Sequence, residues 1–173
     1  MDSAYFAKAN LTYQGSKEER DTAAILFNDK EIPLGDARMN SVAALTYNMG
    51  TCENIFAILQ RSMVPQDNPW PTLLKSVTLL HTIVVYGSEI SIDMAIKLCP
   101  VIYQLTSYNS ATVKRSSLFS FSGTGNTDYG GPVRRAAQPL YDILSRDSNI
   151  REARRAGRDG SGSWAIPKGD TSA

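Results

Sequence analysis

Four arginines near the C-terminus, Arg151, Arg154, Arg155 and Arg158, recur at i, i+3, i+4 and i+7. On a helix this spacing puts all four guanidinium groups on one face. Such a face can dock an acidic membrane or an acidic protein surface, because guanidinium pairs well with phosphate and carboxylate. It can equally be a solvated face whose cations sit near a helix C-terminus. A second basic pair, Lys114 and Arg115, runs into Leu118, Phe119 and Phe121. A basic-then-aromatic loop can dip into a bilayer interface or fold back onto a core. Ser116 and Ser117 behind that pair are candidate phosphorylation positions, where added negative charge would oppose an anionic membrane.

Groups suited to catalysis or metal binding are sparse. The chain holds one histidine, His81, and two cysteines, Cys52 and Cys99. Together they cannot furnish the four ligands of a structural zinc site, so no metal is expected. Isolated thiols fit a reducing compartment. His81 has no acid or cysteine near it in sequence and reads as a hydrogen-bonded core residue. No G-x-S-x-G, phosphate loop, H-E-x-x-H or Cys/His nucleophile pairing occurs. The glycine-rich stretch "GTGNTDYGG" (Gly123–Gly131) does not follow a strand, which removes the nucleotide-binding context. These absences point to a binding module without a cofactor, not to an enzyme.

The elements that must carry the basic residues are helical. At 173 residues, 42% hydrophobic and 20% charged, the chain has the composition of one soluble globular domain. The N-terminus lacks a basic region followed by an apolar run, so no signal peptide is expected. Net charge is +1, which gives no overall pull towards nucleic acid. The distribution is uneven, however. Residues 1–110 carry 8 basic and 11 acidic side chains, whereas residues 111–173 carry 10 basic and 6 acidic. An anionic partner should therefore prefer the C-terminal third.

The stretch "PWPTLLKSVTLLHTIVVYGSE" (Pro69–Glu89) is the most apolar part of the chain. Its apolar run is shorter than the ~20 residues that a membrane span needs, and Lys75 lies near its start. As a helix it has Asp67 or Asn68 as a cap, Pro69 and Pro71 in the first turn, and Gly87 as a stop. Leu73, Leu74, Val77, Leu80, Ile83 and Val84 recur at helical spacing, and Leu79, Val85 and Tyr86 widen the stripe. A helix apolar nearly all round packs on several sides. It is therefore read as the central helix of an all-α bundle.

Further helices are expected over Gly35–Asn48, with Asp36 as cap, and over Glu53–Met63. Ser91–Tyr108 is helical in pattern, with Pro100 breaking or kinking it. Gly131–Arg146 contains Pro139 as a bend, and Asn149–Arg158 is a short closing helix. The segment Asn109–Gly131 is rich in Ser, Gly and Thr and long for a bundle connection. The tail Asp159–Ala173 has linker composition. The expected organisation is an N-terminal segment 1–16, a helical domain 17–158 with a long loop near 109–130, and a disordered linker 159–173.

Several motifs, in order, resemble the epsin N-terminal homology (ENTH) domain. "NDKEIPLGDARMNSVAALTYN" (Asn28–Asn48) is similar to its first helices, down to Leu45, Thr46, Tyr47 and Asn48. Trp70 and Lys75 fall on a tryptophan and a lysine of that family, and Gly87, Ser88 and Glu89 on its Gly-Ser-Glu ending. Asp128, Gly130, Val133 and Arg134 reproduce an Asp-x-Gly-x-x-Val-Arg pattern, and "LSRDSNIREARR" is similar to the closing stretch. The resemblance covers residues 22–156. The related ANTH domain shares the central helix, but its basic signature near the N-terminus is missing here.

The resemblance implies a right-handed superhelical stack of about eight helices, no catalysis, and a place in clathrin-linked vesicle traffic. It implies binding of phosphoinositide headgroups by converging basic residues, with an N-terminal amphipathic helix that forms on the lipid. Carried over, the lipid-binding candidates are Asn28, Arg61, Lys75 and Lys8. The chain departs from the family at Ala23, Ser62, Asn68 and Thr72, which stand where basic or histidine ligands would be. Phe6 and Ala9 likewise replace basic residues. The implied partners are a phosphoinositide-containing membrane and clathrin-coat or SNARE-type proteins, engaged by this domain or by a tail beyond residue 173. A monomer is expected, cytoplasmic and peripheral to endosomal, Golgi or plasma membranes. The alternative is an ENTH-like protein-interaction module that has lost phosphoinositide binding.

Overall fold

Eight helices and no strand occur among the described residues of the computed structural model, which are 15–28, 32, 36–114 and 127–160. In chain order they are α1 (Lys17–Leu26), α2 (Ala37–Leu45), α3 (Met49–Ser62) and α4 (Trp70–Tyr86). There follow α5 (Glu89–Lys97), α6 (Cys99–Leu105), α7 (Gly131–Leu144) and α8 (Asp147–Asp159). Residues 1–14 with Lys8, residues 115–126 of the long loop with its Arg115–Phe121 stretch, and residues 161–173 lie outside the described set.

Local chemistry sets most helix starts. Ser16 caps α1 in a reciprocal box, its hydroxyl accepting from the Glu19 N–H while the Glu19 carboxylate accepts from the Ser16 N–H. Asp36 caps α2 by accepting from the Arg38 N–H at 2.9 Å. Asn48 caps α3 through the Thr51 N–H at 3.0 Å, so α3 begins a turn before the expected Glu53. The expected cap of α4 by Asp67 or Asn68 does not form. Pro69 occupies the N-cap, and Asn68 instead turns its amide back onto the carbonyls of Arg61 and Val64. Buried at 3% exposure, Asn68 closes the end of α3 instead of opening α4. The Ser91–Tyr108 pattern divides at Leu98, with Pro100 inside the first turn of α6, where its missing N–H leaves nothing unpaired.

The core is organised on α4, which packs against α1, α2, α3, α5, α7 and α8. Leu73, Val77, Leu79, Leu80, Ile83 and Val84 are fully enclosed. Phe56 and Leu59 of α3, Ile102 of α6 and Leu140 of α7 share the same core cluster. Each such side chain contributes about 1.5–3 kcal/mol of burial before chain entropy opposes it. No helix among the described residues is long and apolar enough to cross a membrane.

Candidate functional site

Two places gather the basic residues singled out above. The first is a corner where the end of α1, the end of α3 and the first half of α4 meet. The Lys75 ammonium donates to the main-chain carbonyl of Asn28. One residue further along α4, the Ser76 hydroxyl pairs with that of Ser62 at 2.7 Å, next to Arg61. The fold therefore brings Asn28, Arg61 and Lys75 to one corner although they are spread over 48 positions of sequence. Their environments differ. Arg61 is exposed, Asn28 is partly exposed, and Lys75 is buried at 6% exposure with its charge directed at a backbone dipole.

The second place is a cleft of about 380 Å³ between α8 and the start of α5. All four arginines of α8 line it. Ile92 of α5 and Ile150 of α8, 8% and 5% exposed, are its apolar lining, and Glu89 and Asp147 add two carboxylates. Arg151, Arg155 and Arg158 are exposed and pair with no carboxylate among the described residues. Arg154 differs from them. Its guanidinium donates to the carbonyls of Val84 and Gly87, both at 2.8 Å, and meets the Glu89 carboxylate at 3.3 Å.

The backbone of α4 explains why Arg154 lies there. Gly87 ends the helix in an extended conformation, and the next N–H, that of Ser88, donates to the Thr46 hydroxyl at 2.9 Å. The Val84 carbonyl thereby loses its helical partner, and Arg154 supplies a replacement. Gly87 has no room for a side chain: a Cβ would stand 2.5 Å from the Ile83 carbonyl oxygen and 2.8 Å from the Thr46 hydroxyl. The Gly-Ser-Glu sequence is thus a junction of α2, α4, α5 and α8.

Remaining candidates have structural surroundings. Asp128 accepts from the Ser110 and Gly130 N–H groups and pairs with Arg134 at 2.6 Å, tying together the two ends of the long loop. The Gly130 N–H and the Arg134 guanidinium hold its carboxyl below the usual range. Asp36 is held at about 2 by Arg38. Burial raises both Cys52 and Cys99, which favours their neutral thiol forms. Burial lowers His81. No group of three or more His, Cys, Asp or Glu side chains placed to hold a metal occurs among the described residues.

With this geometry in view, a family model of the ENTH domain matches residues 15–150. The chain belongs to the ENTH domain family. Epsin-1 of Homo sapiens is 23% identical over 145 residues, which is 84% of this chain and 23% of that protein. Epsin-3 of Saccharomyces cerevisiae is 24% identical over 157 residues, 90% of this chain and 36% of that protein. The chain therefore spans well under half the length of these relatives. The solved ENTH domain from epsin-2 in complex with phosphatidylinositol 4,5-bisphosphate has the same fold. Its TM-score is 0.67 at 19% identity, covering 86% of this chain and 96% of that one.

This ENTH domain is neutral and closed at four of its corner positions. Ala23, Ser62, Asn68 and Thr72 are all buried, at 3%, 0%, 3% and 3% exposure. Ser62 and Asn68 spend their polar atoms on internal partners. Sequence comparison marked the missing charge there but not the burial. The role of Arg154 was also beyond it, because nothing in the i, i+3, i+4, i+7 spacing says which of four arginines faces a helix end. The Ser16–Glu19 capping box at the start of α1 also went unread, although its S-x-x-E spacing is the signal that would have found it.

Proposed function

We propose that this ENTH domain is a non-catalytic adaptor module that works at phosphoinositide-containing membranes in clathrin-linked vesicle formation. The observation that carries the proposal is the family match over residues 15–150. The fold shared with an epsin-2 domain solved with phosphatidylinositol 4,5-bisphosphate supports it. In this proposal the lipid-facing site is the α1–α3–α4 corner. Arg61 supplies the exposed cation, Asn28 a polar contact, and Lys8 a further cation from the N-terminal segment. Lys75 fixes the corner by holding the Asn28 carbonyl. At ~1 kcal/mol per cation near an anionic surface, attachment through so few charges is weak and sensitive to salt. The domain would act as a monomer, on the cytoplasmic side of endosomal, Golgi or plasma membranes.

A second reading has one observation in its favour. Ala23, Ser62, Asn68 and Thr72 are buried and neutral, and Lys75 is buried beside them. A corner so poor in exposed charge suits a protein-interaction module for a SNARE or coat component that has lost lipid affinity. Co-sedimentation with phosphatidylinositol 4,5-bisphosphate liposomes, at low and physiological salt, separates the two. The lipid proposal expects bound protein to fall as salt rises, and Arg61→Glu to weaken binding about tenfold or more. Binding that ignores Arg61→Glu would move the lipid contact away from this corner, and no binding by the unaltered chain would leave the protein-interaction module standing.

A further inference from the structure

The α8–α5 cleft lies apart from the lipid corner and has a chemistry of its own. Three of its arginines, Arg151, Arg155 and Arg158, are exposed and lack ion-pair partners among the described residues. The fourth, Arg154, is 16% exposed in its side chain and anchored on two carbonyls, so it forms a fixed cationic wall. Between the walls lie Ile92 and Ile150, both nearly buried. We infer that this cleft binds an extended acidic peptide segment of a partner protein, with carboxylates on the arginines and an aliphatic side chain against the two isoleucines.

Two features favour a peptide over a lipid surface. The site is concave, with an apolar lining that a flat array of headgroups does not fill. It also carries carboxylates of its own. Glu89 is 88% exposed in its side chain and Asp147 is exposed beside Arg151. Each repels a continuous anionic surface, whereas a peptide can place neutral residues opposite them. Spacing narrows the ligand further. Arg151 and Arg158 are seven residues apart on α8, about 10 Å at 1.5 Å per residue. An extended peptide turns alternate side chains to one face, and residues four positions apart on that face lie about 13 Å apart, a span that the flexible arginine side chains can reach. Carboxylates four positions apart with an aliphatic residue midway between them match the cleft, because all three side chains then face it, and each carboxylate can be held in bidentate fashion by a guanidinium.

Fluorescence anisotropy on the full chain tests this with a labelled peptide Gly-Glu-Ser-Leu-Ser-Glu-Gly, its Gln-for-Glu counterpart, and phosphatidylserine vesicles. The acidic peptide should bind, and the neutral counterpart at least tenfold more weakly. The double variant Arg155→Glu, Arg158→Glu should lose about a hundredfold in affinity for the acidic peptide. Both side chains are exposed, so the variant should keep its circular dichroism and melting curve. Equal binding of the two peptides, or binding that survives the double variant, would overturn the inference. So would vesicle binding that depends on these arginines in a chain that ignores the peptide, since the cleft would then be a lipid face.

Discussion

Single residues show how the same side-chain type serves opposite ends. Of four arginines on one helix face, Arg154 is spent on the carbonyls at the end of α4 while its three neighbours stay in solvent. Hydrogen bonds from a charged donor to buried acceptors contribute about 1.5–3 kcal/mol in all, and the exposed Glu89 partner adds little to that. Arg154→Ala should therefore lower stability by about 2 kcal/mol, a drop of roughly 4–8 °C in melting temperature for a chain of this length. Thermal unfolding followed by circular dichroism reads this directly, and Arg155→Ala on the exposed side should move it by less than about 0.5 kcal/mol. His81 makes a second prediction. Burial disfavours its charged form, so its pKa in the folded chain lies below the ordinary 6.5. Between the two values the unfolded chain binds a proton that the folded chain does not. Stability is thus full above about pH 6.5 and falls as pH drops beneath it. As the chain's one histidine, it should dominate that window. Urea midpoints at pH 5 and pH 7 should differ in the unaltered chain and converge in His81→Phe.

Among elements, the contact between α8 and α4 is the tightest test of the packing. A Cβ at Gly157 would fall inside contact distance of the Val85 Cγ1 atom and within 3.3 Å of the Tyr86 ring. Helix propensity alone favours Gly157→Ala by about 1 kcal/mol. Overpacking against a stiff valine costs about 1–3 kcal/mol and should win. A chemical-denaturation midpoint that falls in Gly157→Ala confirms this close approach, and one that rises denies it. Elements were also what the sequence rendered most legibly. The central helix was visible as an apolar stripe with prolines in its first turn and Gly87 after it, and Trp70–Tyr86 is its observed extent. Asp36 stood out as a cap because it precedes helical spacing immediately. Asn68 looked the same and is not a cap, because its amide finds the Arg61 and Val64 carbonyls first. Which backbone end a short polar side chain serves depends on the turn between two helices, and a linear pattern does not contain that turn.

At the scale of the whole molecule, the two basic regions lie at different junctions. The corner of Asn28, Arg61 and Lys75 is assembled from three helices, so its membership was legible only through resemblance to a family. The arginine face was legible from spacing alone, because all of it lies on one helix. Its cleft was not, since α5 supplies Ile92 and Glu89 through tertiary packing. The balance of charge between them runs against expectation for a lipid module: the α1–α3–α4 corner is poor in exposed cations and α8 is rich in them. In the proposed adaptor role, attachment to phosphoinositide membranes would therefore depend on headgroup recognition at a charge-poor corner, not on general attraction to negative charge. The most direct measurement is vesicle flotation at physiological salt, comparing phosphatidylinositol 4,5-bisphosphate with phosphatidylserine at matched surface charge. The adaptor account predicts clear preference for the phosphoinositide vesicles. Equal binding to both, or to neither, would contradict it.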